Sequence, residues 1–347
     1  MKTIDRSSPP TQSVLTVGLL CLLLLSAARG QRSYTVTDLG TFGGTQSFAY
    51  GINNRAQVVG QSETSGNATA HAFLYSGGKM LDLGTLGGSF GQALGINDRG
   101  QVVGSSTISS GAEQAFLYSG GKMLDLGTLG GSFSRASGIN DRGQIVGDSY
   151  ISGDAADHAF LYTDGKMLDL GTLGGSFSQA SGINDRVQAA GQSSTIGNVT
   201  LRAFLYSGGQ KLVLGTLGGN FSVAFGINDR GQVVGSSANS GVEKGMFCAA
   251  GGRMIDLDTL GNFFSRASGI NDLRQVVGGL HSGSGTPEHA FLYSDGQMQD
   301  LNNLLAPNAG WIVTEATCIN DAGQIAGYGT LNGQTHALLL TPVRRNR

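Results

Sequence analysis

Proline is nearly absent, with 5 residues in 347, and charge is thin at 13%. A collagen needs abundant proline and a strict Gly-X-Y period, so the many glycines here mean something else. The formal net charge is −2 and no basic block occurs, which removes the electrostatic footprint of a nucleic-acid binder. Cysteine is scarce too. Cys21 lies in the N-terminal apolar run, and Cys248 and Cys318 alone make no disulfide framework. They replace different motif positions in repeats that are not neighbours, so no Cys248–Cys318 bridge is expected. No ten-residue window carries a 3.6-residue apolar period, which argues against helix. No Gly-x-Ser-x-Gly elbow or Ser/His/Asp set stands out. The glycine pairs of "LGTLGG" are followed by neither a helix nor Lys-Ser/Thr, so they make no phosphate loop.

The one long apolar run, Val14 to Leu25, falls short of the roughly 20 residues that span a bilayer. Lys2 and Arg6 precede it, and Ala28-Arg29-Gly30 follows with small residues at cleavage spacing. Residues 1–30 therefore read as a signal peptide and 31–347 as one secreted or periplasmic domain with no membrane span after cleavage.

What the chain does have is glycine, 58 residues of it, and a repeat. "GINNRAQVVG" at 51–60 returns as "GINDRGQVVG" at 95–104 and "GINDRGQIVG" at 138–147, and four further copies follow. Ile52, Ile96, Ile139, Ile183, Ile227, Ile270 and Ile319 mark steps of 43 or 44 residues, with 49 before the last. Each unit holds four short strand-like runs, such as "QVVGSS", "AFLY", "KMLDL" and "QASGIN". In Asn140-Asp141-Arg142-Gly143, Asn and Asp suit a type I turn and Gly143 the left-handed residue after it. Ala56, Val187 and Arg274 stand where that glycine is expected. Seven such units predict an all-β fold, a seven-bladed β-propeller of four-stranded antiparallel blades. The alternative is an open β-solenoid. The first strand-like run, "YTVTDLG", and the last, "HALLLTP", are complementary, so two strands from each end are expected to complete one blade.

The triplets His71-Ala72-Phe73, His158-Ala159-Phe160 and His289-Ala290-Phe291, with "DLGTLGG" and "GINDRGQVVG", resemble the HAF family of extracellular repeats. The ending "GWIVTEATCINDAGQIAGYG" matches it as well. The resemblance implies a secreted, mostly bacterial repeat protein and no particular activity. Gln114, Arg202 and Gly245 replace the histidine in three copies.

The repeated polar residues read as scaffold. One histidine per unit cannot converge on a metal, and the aspartate of "DL" sits where it can accept backbone N–H groups of a tight turn. The Asn-Asp pair lacks the spaced ligands of a calcium loop. No catalytic residue, cofactor or metal ligand is assigned. The expected function is a non-catalytic binding scaffold, a monomer, for an extracellular glycan or protein. The alternatives are a propeller lyase or hydrolase, or a purely structural surface protein. The stretch after each "QVVG" differs in every copy, and its loops should share an end with the "LGGSF" connections. Tyr150, Asp154, Asn198, His281 and Glu288 on those loops are the candidate ligand contacts.

Overall fold

The computed structural model describes residues 33–343 except 240–241, 249–251, 258–259, 261–263, 283–287 and 308. The segment read as a signal peptide lies outside the described residues. Apart from short 3-10 turns, the described elements are β-strands.

Gly43–Ile52, Val58–Thr64, Ala70–Ser76 and Lys79–Gly84 pair antiparallel in that order. The same order recurs along the chain, for example in Gly130–Ile139, Ile145–Ile151, Asp157–Thr163 and Lys166–Asp169. Asn53 shows why the first turn forms. Its Oδ1 accepts the backbone N–H groups of Arg55 and Gln57, both at 3.0 Å. Gly100 and Gly143 take φ of 78° and 83°, while Ala56, Val187 and Arg274 are held at 58°, 61° and 62°. The left-handed turn read from the sequence is kept even where a side chain strains it.

Glycine is required for a second reason at the end of "QVVG". A Cβ on Gly104 would sit 1.9 Å from the Gln92 carbonyl oxygen. There the strand Gly87–Ile96 bulges towards its neighbour, and the pairing register shifts between Ala93 and Gly95.

The core lies in the seams between successive sheets. Phe73 packs with Ala326, Ala337 and Leu339, whereas Ala72, its chain neighbour, packs with Ala93, Val102 and Phe116. Adjacent residues of "AFLY" thus serve opposite faces, which is why the run is apolar throughout. Phe73, Phe116, Phe160, Phe204 and Phe291 are fully buried. Each contributes roughly 1.5–3 kcal/mol from burial.

Trp311–Ile319, Ile325–Leu331 and Gln334–Pro342 take their fourth strand from the start of the chain. Tyr34–Gly40 pairs antiparallel with Gln334–Pro342, Tyr34 opposite Pro342. The expectation of two strands from each end is corrected to one and three. Each sheet begins on the "GIN" strand, so only the strand before the first such run is left over. Val343 N–H donates to Ser33 O at 2.8 Å, bringing the two ends together.

Candidate functional site

The "NDRG" turns build one end of the molecule. Asn53 Nδ2 donates to Asn97 O, Asn97 to Asn140 O, and so on to Asn320, which donates back to Asn53 O, all at 2.9–3.1 Å. A second circuit lies beside it. The backbone N–H of Asn54 donates to Asp98 Oδ1, Asp98 to Asp141, and the series returns when Asp321 donates to Asn54 Oδ1 at 3.0 Å. These residues and the seven isoleucines line a cavity of about 180 Å³. Burial, then the neighbouring aspartates, push the Asp229 carboxyl above its ordinary range. Each aspartate already holds its neighbour's backbone, so the arrangement is a joint between repeats. Among the described residues no group of three or more His, Cys, Asp or Glu is placed to hold a metal ion.

The HAF histidine and the "DL" aspartate are one unit. His71 Nδ1 lies 2.9 Å from Asp82, His158 2.9 Å from Asp169 and His336 3.0 Å from Asp38 across the closing strands. Oδ1 of Asp82 also accepts the Gly84 N–H at 2.7 Å. Arg202 and Val213 replace both members together in one sheet.

At the other end the variable loops fold onto the "LGGSF" connections. Asp154 accepts the Ser132 N–H at 2.7 Å and its hydroxyl at 2.8 Å, and Asn198 accepts the Ser176 N–H at 2.7 Å. Of the five candidate contacts, these two hold the loop's shape, each with positive φ. Tyr150 is half-buried with its ring 5.1 Å from that of Phe133. His281 is 8% exposed and its Nδ1 has no hydrogen-bond partner among the described residues. Glu288 is half-buried and bonded to the Ser282 hydroxyl. All five lie at the end of the second strand or in the loop after it, but in three different repeats, and the structure does not bring them together.

It brings together residues that the sequence reading missed. Beyond the isoleucines the axial channel continues as a cavity of about 200 Å³ towards the variable end, with Tyr50, Leu94, Phe225, Ser268 and Thr317 on its wall. Ser268 Oγ donates to Glu315 Oε1 at 2.9 Å. Glu315 is 6% exposed, and its carboxyl fits because residue 279 is glycine: a Cβ there would lie 2.1 Å from Oε2. Burial pushes the Glu315 carboxyl up to about 7, against the Ser268 bond and the Arg266 charge. Burial raises the Tyr50 phenol to about 12, and burial with the Glu315 charge raises Tyr328 further. Arg266 is exposed, its guanidinium 3.9 Å from the Phe225 ring centroid. A second acidic seam holds Asp148, 1% exposed, between Arg135 at 3.3 Å and Gln179 at 3.0 Å. Desolvation and then Asp148 push the nearby Asp157 carboxyl to about 7. The signal was one column of the repeat. Phe48, Gln92, Arg135, Gln179, Val223, Arg266 and Glu315 all stand four residues before the motif isoleucine, and no one chemistry is common to all seven.

No family model and no curated protein matches the chain, so the HAF resemblance rests on its motifs alone. Solved structures do match. The β-propeller domain of the Trilobed protease from Pyrococcus furiosus has a TM-score of 0.57 at 10% identity, over 85% of this chain and 95% of that one. A Mycobacterium tuberculosis puromycin-hydrolyzing peptidase has 0.56 at 12%, over 89% of this chain and 56% of its own. An oligogalacturonate lyase in complex with manganese has 0.55 at 10%, over 90% and 97%. At such identity the likeness shows the fold: the chain is a β-propeller. It also corrects the expectation of a non-enzyme, because a peptidase and a lyase share this fold. A missing sequence motif therefore does not set the chain apart from catalysts.

Proposed function

We propose that the chain is a secreted, monomeric, closed seven-bladed propeller of the HAF-repeat kind. It binds an extracellular glycan or protein at the end that carries its variable loops and the channel cavity lined by Tyr50 and Phe225. The observation that carries this reading is the contrast between the two ends. At the fixed end the Asn and Asp side chains are consumed in bonds between repeats. At the variable end the repeats differ, and Tyr50, Phe225 and Glu315 stand where the other repeats have other residues. A cavity of about 200 Å³ is below the roughly 300–1,000 Å³ that encloses a drug-sized ligand. It admits one end group while the rest of a ligand lies across the loops, where Tyr150, Asp154, Asn198, His281 and Glu288 serve as contacts or braces.

Glycan and protein arrays probed with the whole secreted chain test this. Capture should fall on Tyr50→Ala and on grafting "SSTISSGAE" into every variable loop, and should survive Asp185→Asn. Capture lost only with the Asp185 change would reverse the assignment. A second reading, chemistry on the bound ligand by a lyase or hydrolase, is favoured by Glu315, a near-neutral buried carboxyl one hydrogen bond from the channel. Turnover of captured glycans that Glu315→Gln abolishes, with binding kept, would support it.

A further inference from the structure

We propose that the group entering the channel is the carboxylate of an acidic sugar, recognised by Arg266 on its Phe225 platform and by the hydroxyls around Glu315. This rests on the reading of the variable end as the binding end, and it adds the chemical class.

Arg266 is exposed, and among the described residues it has no ion pair. Its guanidinium lies 3.9 Å from the ring centroid of Phe225, a residue of the channel wall. Stacking fixes the plane of the guanidinium and leaves its edge free, and a guanidinium edge matches a carboxylate with two parallel hydrogen bonds. The Glu315 carboxyl feels the Arg266 charge, yet it is bonded to Ser268, and among the described residues it makes no ion pair with Arg266. Tyr50, Tyr328 and Ser268 add hydroxyls, so the site is rich in donors, and among the described residues Arg266 is the cation whose charge acts on it.

One guanidinium balances one negative charge. That suits a carboxylate better than a phosphate dianion, for which cationic partners are too few. The rest of the wall, aromatic rings beside hydroxyls, suits a sugar ring with its apolar face and hydroxyl edge. Ser268 donates to Glu315 and can still accept from a ligand hydroxyl.

The test is calorimetric or NMR titration of the whole chain with three probes: glucuronate, glucose and N-acetylglycine. Glucuronate should bind saturably, and glucose at least about tenfold more weakly, since a hydrogen-bonded charge is lost. Arg266→Gln should weaken glucuronate by about tenfold or more and leave glucose unchanged. Phe225→Leu, which keeps the charge but removes the stack, should weaken glucuronate by a smaller factor. Equal binding of glucuronate and glucose, no binding of any probe, or indifference to Arg266→Gln would overturn the inference. N-acetylglycine binding as tightly as glucuronate, and through Arg266, would replace the sugar by a peptide carboxyl terminus and equally overturn it. The parent reading fails differently. If array capture ignores Tyr50→Ala and the loop grafts, the variable end is not the binding end. Neutral ligands captured through Tyr50 without Arg266 would sink only the carboxylate assignment.

Discussion

Glycine serves two different needs in this chain, and substitution separates them. At the turn position the need is a left-handed φ, and Ala56 meets it at 58° with local strain. Ala56→Gly should therefore stabilise the protein by about 1 kcal/mol, read from urea denaturation midpoints. At Gly104 the need is space, because the Gln92 carbonyl occupies the place of a Cβ. Gly104→Ala should destabilise by about 3 kcal/mol or more in the same measurement. The first need was legible, since Asn-Asp-Arg-Gly names its turn within four residues. The second was not, since the crowding atom belongs to the neighbouring strand. The role of Glu315 was hidden for a related reason: its partners Ser268, Arg266 and Tyr328 reach it from other strands, and Gly279 only makes room.

At the scale of elements, strands were legible because a sheet buried on both faces writes an unbroken apolar run. Their phase was not. A cyclic repeat has no marked origin, so the motifs alone suggest two strands from each side for the sheet that joins them, and the structure has one and three. The seams between sheets carry the next prediction. The folded Glu315 carboxyl keeps its proton up to about pH 7, whereas an ordinary one loses it near 4.5. The folded state thus binds the extra proton between those values. The stability this group contributes is fully present below about pH 4.5 and is lost as pH rises to about 7. The loss amounts to about 3 kcal/mol. Arg266, Ser268 and Tyr328 face the group throughout. Glu315→Gln cannot titrate, so the stability gap between variant and wild type should grow by about that amount between pH 4.5 and pH 8. A constant gap would mean that the folded carboxyl loses its proton near pH 4.5, as it does in the unfolded chain.

At the scale of the molecule, the ends meet through Tyr34, which is 1% exposed and packs with Leu301, Leu304 and Leu338. Deleting residues 33–41 should broaden the denaturation transition and lower its midpoint. A permutant that links Val343 to Ser33 through a few glycines and opens at the exposed Ser109–Ser110 loop should stay within about 1 kcal/mol of wild type. The meeting of the ends also sets an order in time. Tyr34–Gly40 is the first described strand to be synthesised, and its partner Gln334–Pro342 is the last. A chain still being made can stack sheet upon sheet but must leave Asn53 O, Asn54 Oδ1 and Tyr34 without their partners until Trp311–Pro342 emerges. The circuit of Asn and Asp bonds therefore records progress along the chain: it closes only once the seventh repeat, with Asn320 and Asp321, has been made.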